Sequence, residues 1–364
     1  MHLSIPPGNM KGTMEGEASP ELKLEGDIPA RYVMPQQDRP SAAAGVAPIP
    51  VVDLGRLSRP DADGGAVEEE AKLRWALETW GFFMITNHGI EASLMDAMMN
   101  ASKEFFGQPT EEKQKYNNII DGKRFRLEGY RSELLQSEGQ TLDWSCRLSL
   151  QVEPEGERSF HLWPKYPKSL RQAIWDVLLQ YASRTKIIKD CIMRALANLL
   201  ELDEDYFINR TTTRARALAR LGYYPPCPRP DLVLGFKPHY DGGALSILFI
   251  EENVGGLQVL RNGKWYNVLA KPYTLLINIA ECIEIMSNGI FKSPPHRVLT
   301  NAEKERTSVA IFYGVDVETV VEPAPGLLDE KRLARFKKIK AEDYYGTVFE
   351  HFRQGKRLID TLII

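Results

Sequence analysis

Short apolar runs separated by turn residues dominate the region between residues 215 and 315. Most of these runs are rich in β-branched or aromatic side chains, and turn residues break the sequence between them. The clearest runs are 244–250, 256–260, 273–279 and 307–315. Because strands of this length and spacing are typical of antiparallel sheets, the pattern predicts an antiparallel barrel or a jelly roll, the double-stranded β-helix, over residues 213–320.

A helical period marks the segment ahead of the barrel. Between residues 170 and 200 one stripe is apolar, formed by Ile174, Val177, Tyr181, Ile188, Ile192, Ala195 and Leu199. The stripe predicts a long amphipathic helix that packs on the barrel. Two short apolar runs, 49–54 and 81–86, alternate with further helical segments. We therefore predict a mixed, mainly helical region over residues 49–212.

The two ends of the chain differ in composition and in hydrophobic pattern. Residues 1–48 are rich in Ala, Gly and Pro and show no period, so we expect a flexible leader. Residues 321–364 carry charged residues among apolar ones at helical spacing, so we expect a helical cap. Together the patterns predict an α+β fold with a jelly-roll core flanked by helices.

The composition of the chain argues against nucleic-acid and membrane partners. With 43% hydrophobic residues, the 364-residue chain can bury a large core. The formal net charge is −3 and the basic residues are scattered, so no nucleic-acid partner is expected. No apolar run is long enough to span a bilayer, and the four cysteines form no C-x-x-C pair. We therefore expect reduced thiols, no membrane partner and a cytoplasmic location, with a monomer favoured.

A candidate metal site lies at His239 and Asp241. Residues two apart on a strand project to the same side, so this imidazole and carboxylate can occupy adjacent corners of a coordination sphere. His296, in a later strand of the predicted barrel, can supply a third ligand. Two histidines and one carboxylate on one face suit Fe(II), because the opposite positions stay open for a co-substrate and oxygen.

A candidate anion site follows at Arg306 and Ser308. In the alternating run 306–313 these two side chains share a strand face, which predicts that a guanidinium and a hydroxyl point into the barrel together. A buried Arg needs an anionic partner, and its planar fork fits a carboxylate. A dicarboxylic co-substrate is one candidate for that partner, and an ion pair to Glu303 or Glu305 is the alternative.

Several motifs in this order resemble those of plant-type 2-oxoglutarate- and Fe(II)-dependent dioxygenases. They are His-Tyr-Asp at 239–241, Ser-Pro-Pro-His-Arg-Val at 293–298, Arg-Thr-Ser at 306–308, Tyr-Tyr-Pro-Pro-Cys-Pro-Arg-Pro at 223–230, Gly-Leu-Gln-Val at 256–259 and Met-Ser-Asn-Gly-Ile-Phe-Lys-Ser at 286–293. The resemblance runs from about residue 49 to the C terminus. Residues 80–89 resemble the family's N-terminal strand, which implies a structural role for His88 and no metal binding.

The resemblance implies an activity and two ligand sets. The Fe(II) ligands would be His239, Asp241 and His296. The residues that hold the far carboxylate of 2-oxoglutarate would be Arg306, Ser308 and Tyr224. The enzyme would use O2 to hydroxylate, dealkylate or desaturate a small molecule and would release succinate and CO2, with ascorbate as the reductant.

A narrower resemblance concerns the substrate. Residues 142–148, 200–207 and 326–330 look like a grass subgroup whose best-known member hydroxylates triketone herbicides, which implies a cyclic, apolar substrate. By the same resemblance the substrate pocket would be formed by Tyr130, Arg147, Leu148, Tyr240 and Phe312.

Two places depart from the family's pattern. Gly222 stands where the family often has Asn, which removes a polar side chain from the strand face shared with Arg220 and Tyr224. Ala280 and Glu281 stand where the family usually has Gly-Asp, and Ala does not easily adopt a positive φ. We therefore expect altered backbone geometry behind the metal, with changed affinity or substrate choice and the ligands intact.

Three other functions are compatible with these residues. A non-catalytic member of the fold would bind a small molecule and form no succinate. A zinc hydrolase could use the same two histidines and carboxylate, but it would leave Arg306 and Ser308 without a role. An oxygenase that uses ascorbate in place of 2-oxoglutarate would not depend on added 2-oxoglutarate.

Overall fold

Two β-sheets packed face to face form the centre of the computed structural model. The structure describes residues 28–41, 43–58, 64–120, 124–125, 127–131, 141–165, 168–212, 214–252, 254–353 and 356–364. Its helices are α1 Leu54–Leu57, α2 Gly65–Thr79, α3 Ala92–Phe106, α4 Thr110–Gln114, α5 Lys168–Leu199, α6 Glu281–Met286 and α7 Ala341–Arg353. Its strands are β1 Val51–Asp53, β2 Phe82–Thr86, β3 Ile119–Ile120, β4 Arg124–Phe125, β5 Gly129–Arg131, β6 Cys146–Glu153, β7 Ala217–Tyr224, β8 Leu234–His239, β9 Leu245–Ile250, β10 Leu257–Arg261, β11 Lys264–Asn267, β12 Leu275–Ile279, β13 His296–Leu299, β14 Arg306–Tyr313, β15 Val320–Val321 and β16 Ile339–Lys340.

The strand order is that of a jelly roll. The larger sheet has eight strands in the order β1-β2-β12-β9-β14-β7-β6-β5, and the smaller has four in the order β11-β10-β13-β8. Strands distant in sequence are neighbours, and their pairings are antiparallel apart from β1 with β2. This arrangement confirms the predicted α+β fold with a jelly-roll core and flanking helices.

Alternation along the central strands separates two environments. On β7, Ala219 and Leu221 join a large apolar cluster with side chains of α3 and α5. Because successive side chains point to opposite faces, Arg220, Gly222 and Tyr224 turn toward the space between the two sheets. Polar side chains of the larger sheet are thus collected on its inner face.

An apolar floor lies beside these polar groups. Side chains from both sheets, including Phe82, Leu276, Leu257 and Val298, form a second buried cluster. The ring of Phe82 meets the ring of His296 edge-on, with centroids 5.6 Å apart. The inner space is therefore apolar on one side and polar on the other.

Most predicted elements are present. The helix predicted over residues 170–200 is α5, and the four apolar runs of the barrel correspond to β9, β10, β12 and β14. The earlier runs at 49–54 and 81–86 contain β1 and β2. The domain limits placed at residues 48, 212 and 320 remain predictions.

The predicted flexible leader needs a correction in its second half. Residues 1–27 lie outside the described residues. Beyond them, Tyr32 is buried and packs edge-on against Trp144, with ring centroids 5.1 Å apart. Met34 is also buried, and its N–H donates to the Leu232 carbonyl at 2.9 Å. Single apolar anchors and backbone hydrogen bonds hold this segment without any periodic pattern in its sequence.

The C-terminal part contains the expected helix, α7, and Tyr344 within it is fully buried. Within the described part of the chain, no helix combines the length and the apolar character needed to cross a membrane.

Candidate active site

Three side chains converge between the sheets. His239 ends β8 and His296 begins β13, and the antiparallel register places them opposite each other with ring centroids 4.1 Å apart. Asp241 Oδ1 lies 3.7 Å from His239 Nε2 and 3.8 Å from His296 Nε2. One ligand atom from each residue falls within 4.8 Å of the others. The structure therefore brings together the three residues predicted to bind a metal.

Backbone carbonyls orient the two imidazoles. His239 Nδ1 contacts the Lys237 carbonyl at 2.9 Å, and His296 Nδ1 contacts the Pro294 carbonyl at 3.3 Å. Because a carbonyl only accepts, each Nδ1 carries a proton, and Nε2 is the nitrogen whose lone pair can bind a metal. Both lone pairs face Asp241, which is the arrangement found around metal-ligating histidines.

The carboxylate of Asp241 is also fixed by its neighbours. Its Oδ2 accepts hydrogen bonds from Ser246 Oγ at 2.6 Å and from Asn278 Nδ2 at 2.7 Å. These bonds occupy one oxygen and leave Oδ1 toward the histidines. Burial favours a higher pKa for Asp241, but the two histidines and these two hydrogen bonds outweigh it and lower the pKa. The carboxylate is thus held in its anionic form.

Electrostatics also favour a neutral His239. Burial lowers its pKa well below the ordinary value, and the nearby His296 lowers it further. Only the neutral imidazole can offer Nε2 as a ligand. His239 and Asp241 therefore present the protonation states that a divalent cation requires.

Arg306 is a buried cation with free donors. Its side chain is 3% exposed, and neither Nε nor Nη1 has a hydrogen-bond partner among the described residues. Its guanidinium lies over the Tyr224 ring at 4.9 Å. The alternative ion pair with Glu303 or Glu305 is absent from the described residues, and Glu305 accepts a hydrogen bond from the Tyr223 hydroxyl.

Ser308 and Tyr224 flank the same space. Arg306 pairs with Tyr224 across β14 and β7, and Ser308 pairs with Gly222. A Cβ placed on Gly222 would lie 3.0 Å from Ser308 Oγ and 3.6 Å from the Tyr224 hydroxyl. The three residues predicted to hold 2-oxoglutarate are therefore neighbours on the inner face.

These groups fit the two molecules that the sequence implies. Two imidazole nitrogens and one carboxylate oxygen form a suitable set of ligands for Fe(II). The unpartnered donors of Arg306 match a carboxylate, which accepts two parallel N–H bonds from a guanidinium. The residues that could hold a metal and a dicarboxylate thus lie on facing strands of one barrel.

Two predicted substrate residues lie on the inner face. Arg147 of β6 is 9% exposed, and its guanidinium is 5.8 Å from the centre of the Phe236 ring. Phe312 of β14 lies beneath the Arg220 guanidinium at 4.7 Å. The ring of Tyr240 lies under the guanidinium of Arg357, from the C-terminal segment, at 4.0 Å, and its role in the pocket remains a prediction.

The predictions for Tyr130 and Leu148 are corrected by the strand register. Tyr130 pairs with Leu148, and Leu148 pairs with Leu221 on the face that packs against the helices. The Tyr130 ring contacts Phe105 of α3, with centroids 5.7 Å apart. Because neighbouring residues on a strand face opposite ways, Arg147 reaches the interior and Leu148 cannot.

The prediction of altered backbone geometry at Ala280 is also wrong. Ala280 has φ −105° and ψ 171°, an extended conformation that needs no positive φ. Its N–H donates to the Ala244 carbonyl at 3.0 Å, and the Glu281 N–H donates to the Asp241 carbonyl at 2.9 Å. The buried Glu281 side chain accepts bonds from Tyr344 and Arg357. The departure from Gly-Asp is therefore accommodated by a local hydrogen-bond network.

Sequence reasoning missed several residues around the site. Ser246 and Asn278 fix Asp241 but lie in different strands, so only the folded register reveals them. Arg220 lies on the inner face with Gly222 and Tyr224, as the alternation along this strand predicts, but no role was predicted for it from the sequence. The Nε2 of His88 contacts the Tyr273 carbonyl at 3.0 Å, and its structural role remains a prediction.

The fold and the site define a metal-dependent oxygenase with a jelly-roll core. Residues 215–315 match the model of the 2OG-Fe(II) oxygenase superfamily, and residues 49–166 match that of the non-haem dioxygenase in morphine synthesis N-terminal region. The chain is 34% identical to Protein SRG1 of Arabidopsis thaliana, covering 93% of this chain and 92% of that protein. It is 33% identical to codeine O-demethylase of Papaver somniferum over 92% of this chain and 91% of that enzyme.

Comparison with a solved structure indicates the same family as the sequence comparisons do. The crystal structure of JOX2 in complex with 2OG, Fe and JA superimposes with a TM-score of 0.83 at 32% identity, covering 96% of this chain and 98% of JOX2. The chain belongs to the plant branch of the 2OG-Fe(II) oxygenase superfamily. It is a 2-oxoglutarate-dependent non-haem iron dioxygenase that acts on small metabolites and requires Fe(II) and 2-oxoglutarate.

Proposed function

We propose that His239, Asp241 and His296 bind the iron and that Arg306, Ser308 and Tyr224 hold the far carboxylate of 2-oxoglutarate. The observation that carries this assignment is the pair of unpartnered donors on buried Arg306, which lies in the larger sheet and faces the same interior as the metal ligands of the smaller sheet. A buried guanidinium without an ion-pair partner is strongly destabilising, and a bound carboxylate would supply that partner.

The bound Fe(II) and 2-oxoglutarate supply the oxidising power of the reaction, which consumes O2 and yields succinate and CO2. The chain's own residues determine where that oxidation occurs. Carbonyl contacts hold the two imidazoles, Ser246 and Asn278 hold the carboxylate, and the apolar floor that includes Phe82 limits access of water. Positioning is therefore the protein's main contribution.

For the substrate we propose a small cyclic molecule with an apolar body, such as a triketone herbicide or a plant metabolite of similar shape. Phe312 and Phe236 support this class, since both rings line the inner space close to the site. Ligand pockets of this kind are mostly apolar with few polar anchors. Hydroxylation is the proposed outcome.

O-Demethylation is a second candidate outcome, because curated relatives include codeine O-demethylase and a flavonoid 7-O-demethylase of Ocimum basilicum. Both outcomes begin with oxidation of a C–H bond. Formaldehyde release distinguishes them, because only the methyl ether yields it.

The first experiment is an anaerobic titration of the metal-free protein with Fe(II) and 2-oxoglutarate, followed by the visible charge-transfer absorption of the chelate. The expected band requires both additions and is absent in His239→Ala. Thermal unfolding of the variant in the same buffer shows that it remains folded.

A folded wild-type protein that gives no band would contradict the assigned ligands. Succinate formation under air then separates the alternatives. A non-catalytic binding protein forms none, and an ascorbate-dependent oxidase turns over without 2-oxoglutarate. Detection of succinate that depends on 2-oxoglutarate agrees with the proposal.

A further inference from the structure

Two additional guanidiniums face the interior of the barrel. Arg147 of β6 and Arg220 of β7 project from the same face of adjacent strands, because Arg147 pairs with Gly222 and Ser149 pairs with Arg220. Neither belongs to the proposed iron or 2-oxoglutarate ligands. Both therefore need a separate explanation.

Their surroundings place them close to the metal ligands. The Arg147 guanidinium lies against Phe236, whose ring contacts the ring of His239 with centroids 4.3 Å apart. The Arg220 guanidinium lies over the ring of Phe312, on the inner face of the adjacent strand β14, at 4.7 Å. The two cations thus line the part of the interior where a substrate must meet the metal.

Charge compensation at this pair is incomplete. Within the described ranges, neither Arg147 nor Arg220 forms an ion pair, and Arg220 Nε is buried without a hydrogen-bond partner. The pKa of Arg220 is lowered to about 10, mainly because the guanidinium is removed from water. The positive charge of Arg147 is the second cause, which shows that the two side chains repel each other. Arg220 nevertheless remains cationic at neutral pH.

The nearby carboxylates are already engaged. Asp241 faces the two histidines, and Asp143 Oδ1 accepts a hydrogen bond from the Lys237 N–H at 2.9 Å. Two neighbouring guanidiniums, one buried and one half-buried, are unfavourable without an ion pair unless an anion joins them. A guanidinium fork is suited to a planar oxyanion, either a carboxylate or the enolate of a cyclic dione.

We propose that Arg147 and Arg220 form an anion subsite for the primary substrate, so that this oxygenase selects cyclic substrates carrying a negative charge. The inference rests on the proposed function and adds the charge of the substrate to it. The anionic group binds against the arginine pair, and the apolar ring extends along Phe312 and Phe236 toward the metal.

The test uses pairs of probes that differ in charge. One pair is benzoate and benzamide, and the other is a cyclic acyl-dione, whose enol is ionised at neutral pH, and its neutral enol methyl ether. Each probe is titrated into the anaerobic Fe(II)·2-oxoglutarate protein, and the dissociation constant is taken from the perturbation of the charge-transfer band and from calorimetry. Formation of the band without a probe checks the proposed function independently.

We expect at least one anion to bind about 30-fold or more tightly than its neutral partner, the usual effect of a buried charge pair. The preferred anion decides between a carboxylate and an enolate. Arg147→Gln should remove this preference, lower anion affinity by about 30-fold or more and leave 2-oxoglutarate affinity unchanged. Arg261→Gln is the matched control, because Arg261 lies over Trp80, outside the proposed sites, and should change none of these values.

Stability supplies a second readout. Without a probe, Arg147→Gln should unfold at the same temperature as wild type or higher, because it removes repulsion within the pair. Arg147→Lys retains the charge and should keep part of the preference, and it serves as the test variant if the Gln variant does not fold. Equal affinity for charged and neutral probes, no binding of either anion at millimolar concentration, or an equal loss of 2-oxoglutarate affinity would overturn the inference.

Discussion

Arg357 offers a quantitative test of the network behind the metal site. Its Nε donates to Glu281 at 3.0 Å and its Nη2 donates to Glu284 at 2.7 Å. Glu281 also accepts from the Tyr344 hydroxyl, and its backbone N–H contacts the Asp241 carbonyl. Arg357→Met keeps much of the aliphatic length but leaves two buried carboxylates without their cation.

Removing one partner of a buried ion pair costs about 3–5 kcal/mol, and the 18% exposure of Arg357 favours the lower end. An unfolding entropy of about 2 cal/mol/K per residue gives roughly 0.8 kcal/mol/K for 364 residues. We therefore expect the variant to lose about 3 kcal/mol, which corresponds to roughly 4 °C in melting temperature. Thermal unfolding followed by circular dichroism measures this loss.

The loss should depend on pH. Burial raises the pKa of Glu281 above its ordinary value of 4.5, although Tyr344 and Arg357 oppose the shift. Without Arg357 the folded-state pKa rises further, so the destabilisation is full at neutral pH and shrinks as acidification protonates the buried carboxyl. Equal losses at neutral pH and at about pH 5.5, or no loss at neutral pH, would refute this reasoning. Arg332→Met is the control, because its pair with Asp329 is exposed and should change stability by less than about 1 kcal/mol.

Three further substitutions test the proposed ligand sets. Arg306→Met should lower the affinity for 2-oxoglutarate, measured by calorimetry, by about 30-fold or more while the affinity for Fe(II) stays the same. An unchanged affinity for 2-oxoglutarate would exclude Arg306 from that site. Asn278→Ala should lower the affinity for Fe(II) by about tenfold in a competition titration, because Asp241 loses one of the hydrogen bonds that orient it. An affinity equal to that of the wild type would show that this hydrogen bond is dispensable. Asp241→Asn should lower Fe(II) affinity more than Asn278→Ala does, and the reverse order would contradict its role as a ligand.

Local patterns predicted the elements well because each depends on neighbouring residues. The stripe from Ile174 to Leu199 is a property of one helix, and the apolar runs of the barrel are properties of single strands. The metal triad could be recognised because His239 and Asp241 are adjacent in sequence and His296 has its own motif. These patterns can be recognised in the sequence without knowledge of the tertiary structure.

The errors come from register and long-range contacts. Leu148 and Arg147 are adjacent in sequence but face opposite sides of β6, and only the pairing of Leu148 with Leu221 fixes which side is inside. Likewise, the sequence around Ala280 could not show that Tyr344 and Arg357, from the C-terminal segment, satisfy Glu281. Such contacts depend on the whole fold.

Gly222 connects the two parts of the proposed site. In the larger sheet, Ser308 of β14, Gly222 of β7 and Arg147 of β6 form one row across three strands. Ser308 belongs to the proposed 2-oxoglutarate ligands and Arg147 to the proposed anion subsite, so the residue between them can affect both. A Cβ at this position would lie 3.0 Å from Ser308 Oγ, and a larger side chain would extend further over the row. Under this assignment, the glycine leaves room for two anionic molecules side by side, which links its departure from the family's pattern to substrate choice and not to loss of activity.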